Sequence, residues 1–444
     1  MSEAPSAAAL ARASALNLLA RLTSGAATLA LAILSTHVLD THGRGIYAIL
    51  TTWAGIGATV ITGGTTVLAA DLIHGRHEKR VLHGATSAIA LASAAILLPL
   101  SLVVAALTSG VTLAALVCTA ALTVLVTYSG FEMALAQARG DVLRVSLTDI
   151  AMQLFPLLAT VLAVIFFDHT VTTLVAAWAA GAIVTATVQF LGAARAGSLM
   201  IARAWRVGAS IMRRSIRVAI ANGAGLLCAR IDVLVVAAVL SASAAGIYSI
   251  PVALATNLLL LSRSLLTATY HSIMTAPEHE VAERLSVAIR HSVIVVLIGG
   301  GLSIIVIAVT AGFVFGSAYS AIWQPYSLLV VAAACICVVE VLRHYLLTRL
   351  ERQNEYVVII TAMLVVNGVL AAIGAAAFDL VGAAASTTIT YALAAFALVA
   401  LCARELDVPM RQLAVPRLSD LTSYWRAARW ALRRRRSAAA IAPE

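Results

Sequence analysis

LALAILSTHVLDTHGRGIYAI, Leu29–Ile49, returns 201 positions later as RIDVLVVAAVLSASAAGIYSI, Arg230–Ile250. Val38–Leu39 lies over Val239–Leu240, and Gly45–Ile46–Tyr47 lies over Gly246–Ile247–Tyr248. Each copy joins the end of one long apolar run to the start of the next, so the first two runs correspond to the seventh and eighth. The chain is therefore read as a tandem duplication of a six-helix unit. Six is even, so both copies enter a membrane from the same side, as parallel repeats about an axis along the membrane normal. The glycine is expected to give a tight turn between hairpin helices, and the tyrosine to sit at the headgroup interface.

Composition sets the same frame. Of 444 residues 61% are hydrophobic and only 11% charged, against about 25% charged in water-soluble domains. Mean hydropathy is +0.98. Apolar windows of about 20 residues, enough to cross a hydrocarbon core of about 30 Å, predict twelve spans. They fall at 15–38, 45–72, 82–107, 111–136, 146–167, 171–194, 215–240, 245–269, 288–313, 324–347, 356–377 and 380–402. The expected fold is an all-α integral membrane protein of about twelve transmembrane helices, in two pseudo-symmetric six-helix bundles around a central cleft. The divisions are an N-terminal bundle over 1–197, a basic linker over 198–214, a C-terminal bundle over 215–402 and a basic tail over 403–444. MSEAPSAAAL leads straight into a full-length span, so that span is expected to stay in the mature protein.

Charge reports orientation. Of 30 basic residues, 26 fall in the N-terminus, in every second connection or in the tail, and the alternate connections hold only Arg44. By the positive-inside rule both termini are cytoplasmic, in the plasma (inner) membrane of a multi-pass protein. The positive charge thus follows topology and attraction to the inner leaflet, not nucleic acid. The segment Arg195–Arg217 mixes six arginines with Trp205, Ile211 and Met212, fitting either an anionic membrane surface or a solvated linker. In the tail Leu418, Leu421, Trp425, Ala428 and Leu432 recur at steps of three and four, which predicts a surface helix. The five cysteines lie inside spans and read as small hydrophobes; Cys335 and Cys337 face apart on a helix and cannot chelate one metal. No metal and no cofactor are expected.

RIDVLVVAAVLSASAAGIYSI and NGVLAAIGAAAFDLVGAAASTTITY, Asn367–Tyr391, resemble span signatures of the oligosaccharide flippase branch of the multidrug/oligosaccharidyl-lipid/polysaccharide (MOP) exporter superfamily. The first hairpin is similar to that pattern too, keeping Gly45 and Tyr47 without the usual basic lead-in. The resemblance covers nearly all twelve spans. It implies a flippase that moves a polyprenyl-pyrophosphate-linked oligosaccharide from the inner to the outer leaflet by alternating access, for cell-surface polysaccharide. The substrate would be the lipid-linked oligosaccharide, with membrane lipids as the other partners, and one chain would suffice as a monomer.

A pyrophosphate headgroup needs a wet cationic cleft. Arginine within a span costs about 3 kcal/mol at mid-membrane, so Arg21, Arg230 and Arg263 are expected to face such a cleft or a partner. On span one Asn17, Arg21, Ser24, Thr28 and Ser35 make one polar stripe; on span eight Thr256, Arg263, Thr267 and Tyr270 repeat it. Substrate binding is assigned to Asn17, Arg21, Arg230, Arg263, Thr267 and Tyr270, with guanidinium suited to bidentate phosphate contact. The alternative for Arg21 is snorkelling to the inner surface. Asp232, two residues from Arg230, points the other way round the helix, into its own bundle.

The resemblance also implies an ion site. Sodium-binding relatives use the span of Asp232 with spans eleven and twelve, where Asn367 and Thr390 are placed to supply oxygens; Ala371 stands where those relatives carry a second acid. Asp149, sharing a face of span five with Gln153, Pro156 and Thr160, is the candidate for proton coupling. Coupling to sodium, protons or membrane potential is open on these residues. Glu132 reads as a cap on its bundle, and Glu340 as a local ion pair with Arg343 and His344. A cation-coupled multidrug antiporter of the same superfamily is the alternative; it would favour buried acids and aromatics over arginines. A membrane polymerase would need an outer loop or catalytic domain, and the connections are too short for one.

Overall fold

The computed structural model describes residues 7–414 apart from 74, 108–110, 140, 196–200, 275 and 351. The surface helix expected in the tail lies outside those residues. The first half runs α1 (Ala7–Val38), α2 (Thr41–Thr62), α3 (Thr65–Ile73), α4 (Lys79–Leu107), α5 (Leu113–Ala138), α6 (Val142–Phe166) and α7 (Val171–Arg195). The second runs α8 (Ile201–Cys228), α9 (Ile231–Val239), α10 (Ala242–Met274), α11 (Glu278–Val314), α12 (Trp323–Thr348), α13 (Gln353–Glu405) and α14 (Met410–Ala414). Among the described residues there is no strand.

Among the described residues ten stretches are long and apolar enough to span a bilayer, and the bent pair Asn222–Cys228 with Ile231–Val239 makes an eleventh. The stretch Asn354–Glu405 counts twice. As one rod its 52 residues would measure about 78 Å, yet Ser386 Oγ donates to the Leu370 carbonyl across 2.7 Å. The chain reverses at Phe378 and Asp379, whose backbone leaves helical geometry, and Gly374 and Gly382 let the two arms touch. Twelve crossings result. Their outer surface is apolar where a soluble protein would be polar: on α11 Val309 is 81% and Phe313 90% exposed. This is a multi-pass membrane protein.

The repeated phrase marks where the two halves meet. A methyl added at Gly45 would overlap the Ala242 carbonyl, and one at Gly246 the Thr41 carbonyl. The glycines thus serve a backbone-to-backbone crossing of α2 with α10, which corrects the expectation that they make the turns. The turns are capped by the residues before them. Asp40 Oδ1 accepts from the Gly43 N–H at 2.8 Å, and its counterpart Ser241 Oγ accepts from the Ala244 N–H at 3.0 Å. The tyrosines are not interfacial either: Tyr47 and Tyr248 are 4% and 0% exposed. At the same arginine-poor end, His37 Nε2 donates to the Val314 carbonyl at 2.9 Å, tying α1 to α11.

From Ile201 onward the segment read as a basic linker is helical and continuous with span seven. Its buried side carries Ala204, Gly208, Ile211, Ser215 and Ala219, and Gly208 rests on Ala85 and Ile89 of α4. Arg214 reaches Asp71 of α3 at 3.0 Å. The five cysteines are free thiols.

Candidate functional site

Two cavities lie along the seam of the halves. The first, about 330 Å3, is walled by α8, α9, α10, α12 and α13, with Thr59 contributed by α2. The second, about 280 Å3, lies between α1, α2 and α7 on one side and α8, α9 and α10 on the other. Leu226 and Arg230 border both.

Arg230 owes its position to a break. Span seven, expected as one helix over 215–240, ends at Cys228 and resumes at Ile231 with a 47° bend. Arg230 sits in the interruption with φ −134° and ψ −7°. Irregular backbone at membrane depth is tolerated where it lines a cavity, and interrupted helices are where carriers build their sites. The Arg230 N–H donates to the Leu227 carbonyl at 3.1 Å, and Arg230, with Asp232 as its charged neighbour, borders both cavities.

Arg263 lines the first cavity with Thr256 of the same stripe. It is not alone there: Glu340 Oε1 lies 3.6 Å away, and Glu340 Oε2 is 3.0 Å from Arg343. Glu340 therefore joins two arginines, one more than the local pair read from sequence. The side chains of Asn17, Thr267 and Tyr270 lie outside the described residues.

Arg21 goes elsewhere. The stripe of α1 packs on the stripe of α6 inside the N-terminal half: Ser24 Oγ donates to the Asp149 carbonyl at 3.3 Å, and Thr28 Oγ1 to Gln153 Oε1 at 3.4 Å. Arg21 faces Asp149 there and borders neither cavity. Two stripes read separately from the sequence are thus one helix interface, and only Thr28 and Ser35 reach the second cavity. Pro156, further along α6, packs on Gly181 of α7.

Asp232 is buried in the C-terminal half and closes a network. Its Oδ2 accepts from Tyr248 Oη at 2.9 Å and Thr387 Oγ1 at 3.1 Å, while Oδ1 accepts from the Val233 N–H at 2.8 Å. Asn367 joins through Thr387, at 3.5 Å, and donates to the Cys228 carbonyl at 2.8 Å. Thr390 does not join: its hydroxyl bonds the Ser386 carbonyl of its own helix, and Thr387 takes the place assigned to it. One carboxylate with amide and hydroxyl oxygens fits a sodium ion by donor type, but each carboxylate oxygen already accepts a hydrogen bond. Buried Ala371 adds no second charge. Among the described residues no cluster of three metal-ligating side chains occurs.

The residue that sequence reasoning missed is Arg44. Charge counting makes it the single basic residue of an outer connection, yet it is 6% exposed and borders the second cavity. Its guanidinium lies 5.3 Å from the Tyr47 ring centroid, and its Nε has no hydrogen-bond partner. A signal was present: it is the charged member of the repeated phrase, and its counterpart is Ala245. Around the two cavities stand Arg44, Arg230, Arg263 and Arg343 against Asp232 and Glu340. Among the described residues that wall the second cavity, where Arg44 lies, there is no acid.

A second buried charge group lies apart from the seam. Glu132 accepts from Thr86 Oγ1 at 2.8 Å and bonds His83 Nδ1 at 2.9 Å, and Arg139 bonds the other ring nitrogen at 2.8 Å. Glu132, read from the sequence as a cap on its bundle, thus ties α4 to α5.

No family model matches the sequence, and no curated protein matches it. Solved structures do. An inward-facing multidrug resistance MATE family transporter of the MOP superfamily superposes with a TM-score of 0.67 at 11% identity, over 88% of this chain and 98% of that one. A MATE protein in complex with MaL6 gives 0.62 at 13% identity, over 89% and 96%. A MOP superfamily transporter from Pyrococcus furiosus, described by a reverse polarity of its binding pocket that suggests a different function, gives 0.60 at 12%, over 89% and 95%. The chain has the fold of the MATE transporters.

Proposed function

We propose that the protein is a flippase that carries a polyprenyl-pyrophosphate-linked oligosaccharide from the inner to the outer leaflet by alternating access. The observation that carries this reading is the lining of the seam: four arginines against two carboxylates, with Arg230 placed at a helix break. A pyrophosphate is a dianion or more, and guanidinium groups bind it in pairs of charge-assisted hydrogen bonds. The apolar tail can stay in lipid while the headgroup passes from Arg263 by Arg230 to Arg44.

The arginine-rich ends are taken as cytoplasmic, in the inner membrane, and one chain encloses the whole route as a monomer. Sodium, protons or the membrane potential supplies the drive. Asp232 with Asn367, and Asp149 beside Arg21, are the ion-responsive candidates.

The second reading, a cation-coupled multidrug antiporter, is favoured by two observations: multidrug transporters share the fold, and Asp232 and Glu340 border the larger cavity of the seam. Transfer of a fluorescent polyprenyl-pyrophosphate sugar across proteoliposomes separates them. Arg230→Ala and Arg263→Ala should each lower transfer about 10- to 100-fold, as loss of charge-assisted hydrogen bonds does. Unchanged transfer in both, with uptake of a lipophilic cation that needs Glu340, would replace the flippase reading by the antiporter.

A further inference from the structure

A third cavity lies away from the seam. It measures about 560 Å3 and is walled by Val60 of α2, Ile89 and Ile96 of α4, and Trp205, Ala209 and Met212 of α8. Almost all of its wall is carbon. Its mouth is on the outer surface of the bundle, where Ile96 is 67% and Trp205 52% exposed. It does not open into the seam, because α8 closes onto α2 at two places: a methyl at Gly63 would overlap Ala219, and one at Gly223 would overlap Val60.

Within a bilayer an apolar groove gains little from any particular hydrocarbon, since lipid tails are as apolar as the side chains they replace. Selectivity has to come from the mouth. There Arg206 and Arg213 are exposed, seven residues and thus two turns apart, on the arc of α8 beside Trp205 and Ala209. Neither makes an ion pair among the described residues, whereas neighbouring Arg214 is bound to Asp71. Two uncommitted guanidinium groups about 10 Å apart beside an acyl-sized groove match one anionic headgroup with its chain.

We propose that this groove holds one acyl chain of an anionic phospholipid, with the lipid phosphate on Arg206 and Arg213. The lipid is resident and distinct from any cargo: a tail whose headgroup stood at Arg230 would have to cross the seal between α8 and α2.

Native mass spectrometry of the full chain, released from nanodiscs holding equal phosphatidylglycerol and phosphatidylcholine, tests this. The wild type should retain one phosphatidylglycerol preferentially. Arg206→Ala with Arg213→Ala should cut that preference roughly thirtyfold, at about fivefold per surface arginine. Ala209→Phe, which fills the groove from an exposed position and spares both arginines, should abolish retention while leaving thermal unfolding in lipid-free detergent unchanged. Equal retention of the two lipids by the wild type would overturn the assignment. So would preference undiminished in both variants, one-for-one displacement by a polyprenyl pyrophosphate, or a dimer of this chain in place of the lipid.

Discussion

Gly45 of α2 and Gly246 of α10, the same position of the two repeats, meet backbone to backbone where the halves touch at the arginine-poor end. This crossing and the bond from His37 to Val314 join the halves at that end, and the crossing is expected to close the second cavity there. Gly246→Leu would wedge the halves apart there. In a background freed of the five native cysteines, Thr52→Cys in the cavity wall should be protected from an impermeant maleimide added outside, and should label once Gly246→Leu is present. Equal labelling with and without the Gly246→Leu substitution would show that the crossing is not the closure.

Arg44 has its planar group near the Tyr47 ring and an unpartnered Nε. Arg44→Met keeps the stem and removes the charge, and is expected to lower transfer of the lipid-linked sugar about tenfold. Arg44→Lys should recover only part, because an ammonium lacks the fork that matches phosphate. The initial rate in proteoliposomes decides it, and full activity of Arg44→Met would remove Arg44 from the route.

Asp232 is the hub of the C-terminal network, so its loss should be felt first in stability. Asp232→Ala strands the Tyr248 and Thr387 hydroxyls in a buried place and is expected to cost about 3 kcal/mol. Asp232→Asn keeps an acceptor and should cost less. Thermal unfolding in detergent compares them. Repeating it with sodium exchanged for choline asks whether an ion contributes, since a bound ion raises the midpoint with concentration.

Outside the spans, Asp71 is held below the ordinary carboxyl range, chiefly by its hydrogen bond from Arg214. A depressed folded-state value means stabilisation that is fully present above about pH 4 and is lost as pH falls through the folded value. Asp71→Asn should therefore destabilise the protein by about 2 kcal/mol at pH 7, with the gap to wild type shrinking on acidification. A gap constant from pH 7 to pH 3 would show that the carboxylate charge contributes nothing.

The duplication and the twelve crossings were legible because each is a matter of spacing along one chain. Partners across the fold were not. The stripe of Arg21, Ser24 and Thr28 announces a polar face, but nothing in the spacing tells a cavity from another helix, and Asp149 with Gln153 on α6 proved to be what it faces. Thr387 and Thr390 lie one turn apart, and which of them meets Asp232 depends on the reversal at Asp379, where φ is +52°. The break at Arg230 carried no glycine or proline at the site to announce it. Arg44 was hidden by the assumption that a charge next to a connection lies in water.

One rod, α8, runs 28 residues, about 42 Å, from Ile201, one turn before Trp205, to Cys228, two residues short of the break at Arg230. Ten degrees of tilt about its far tip would swing the other by about 7 Å, more than a full helical pitch. Whatever grips the surface end of that lever therefore also sets the posture of the cationic gap.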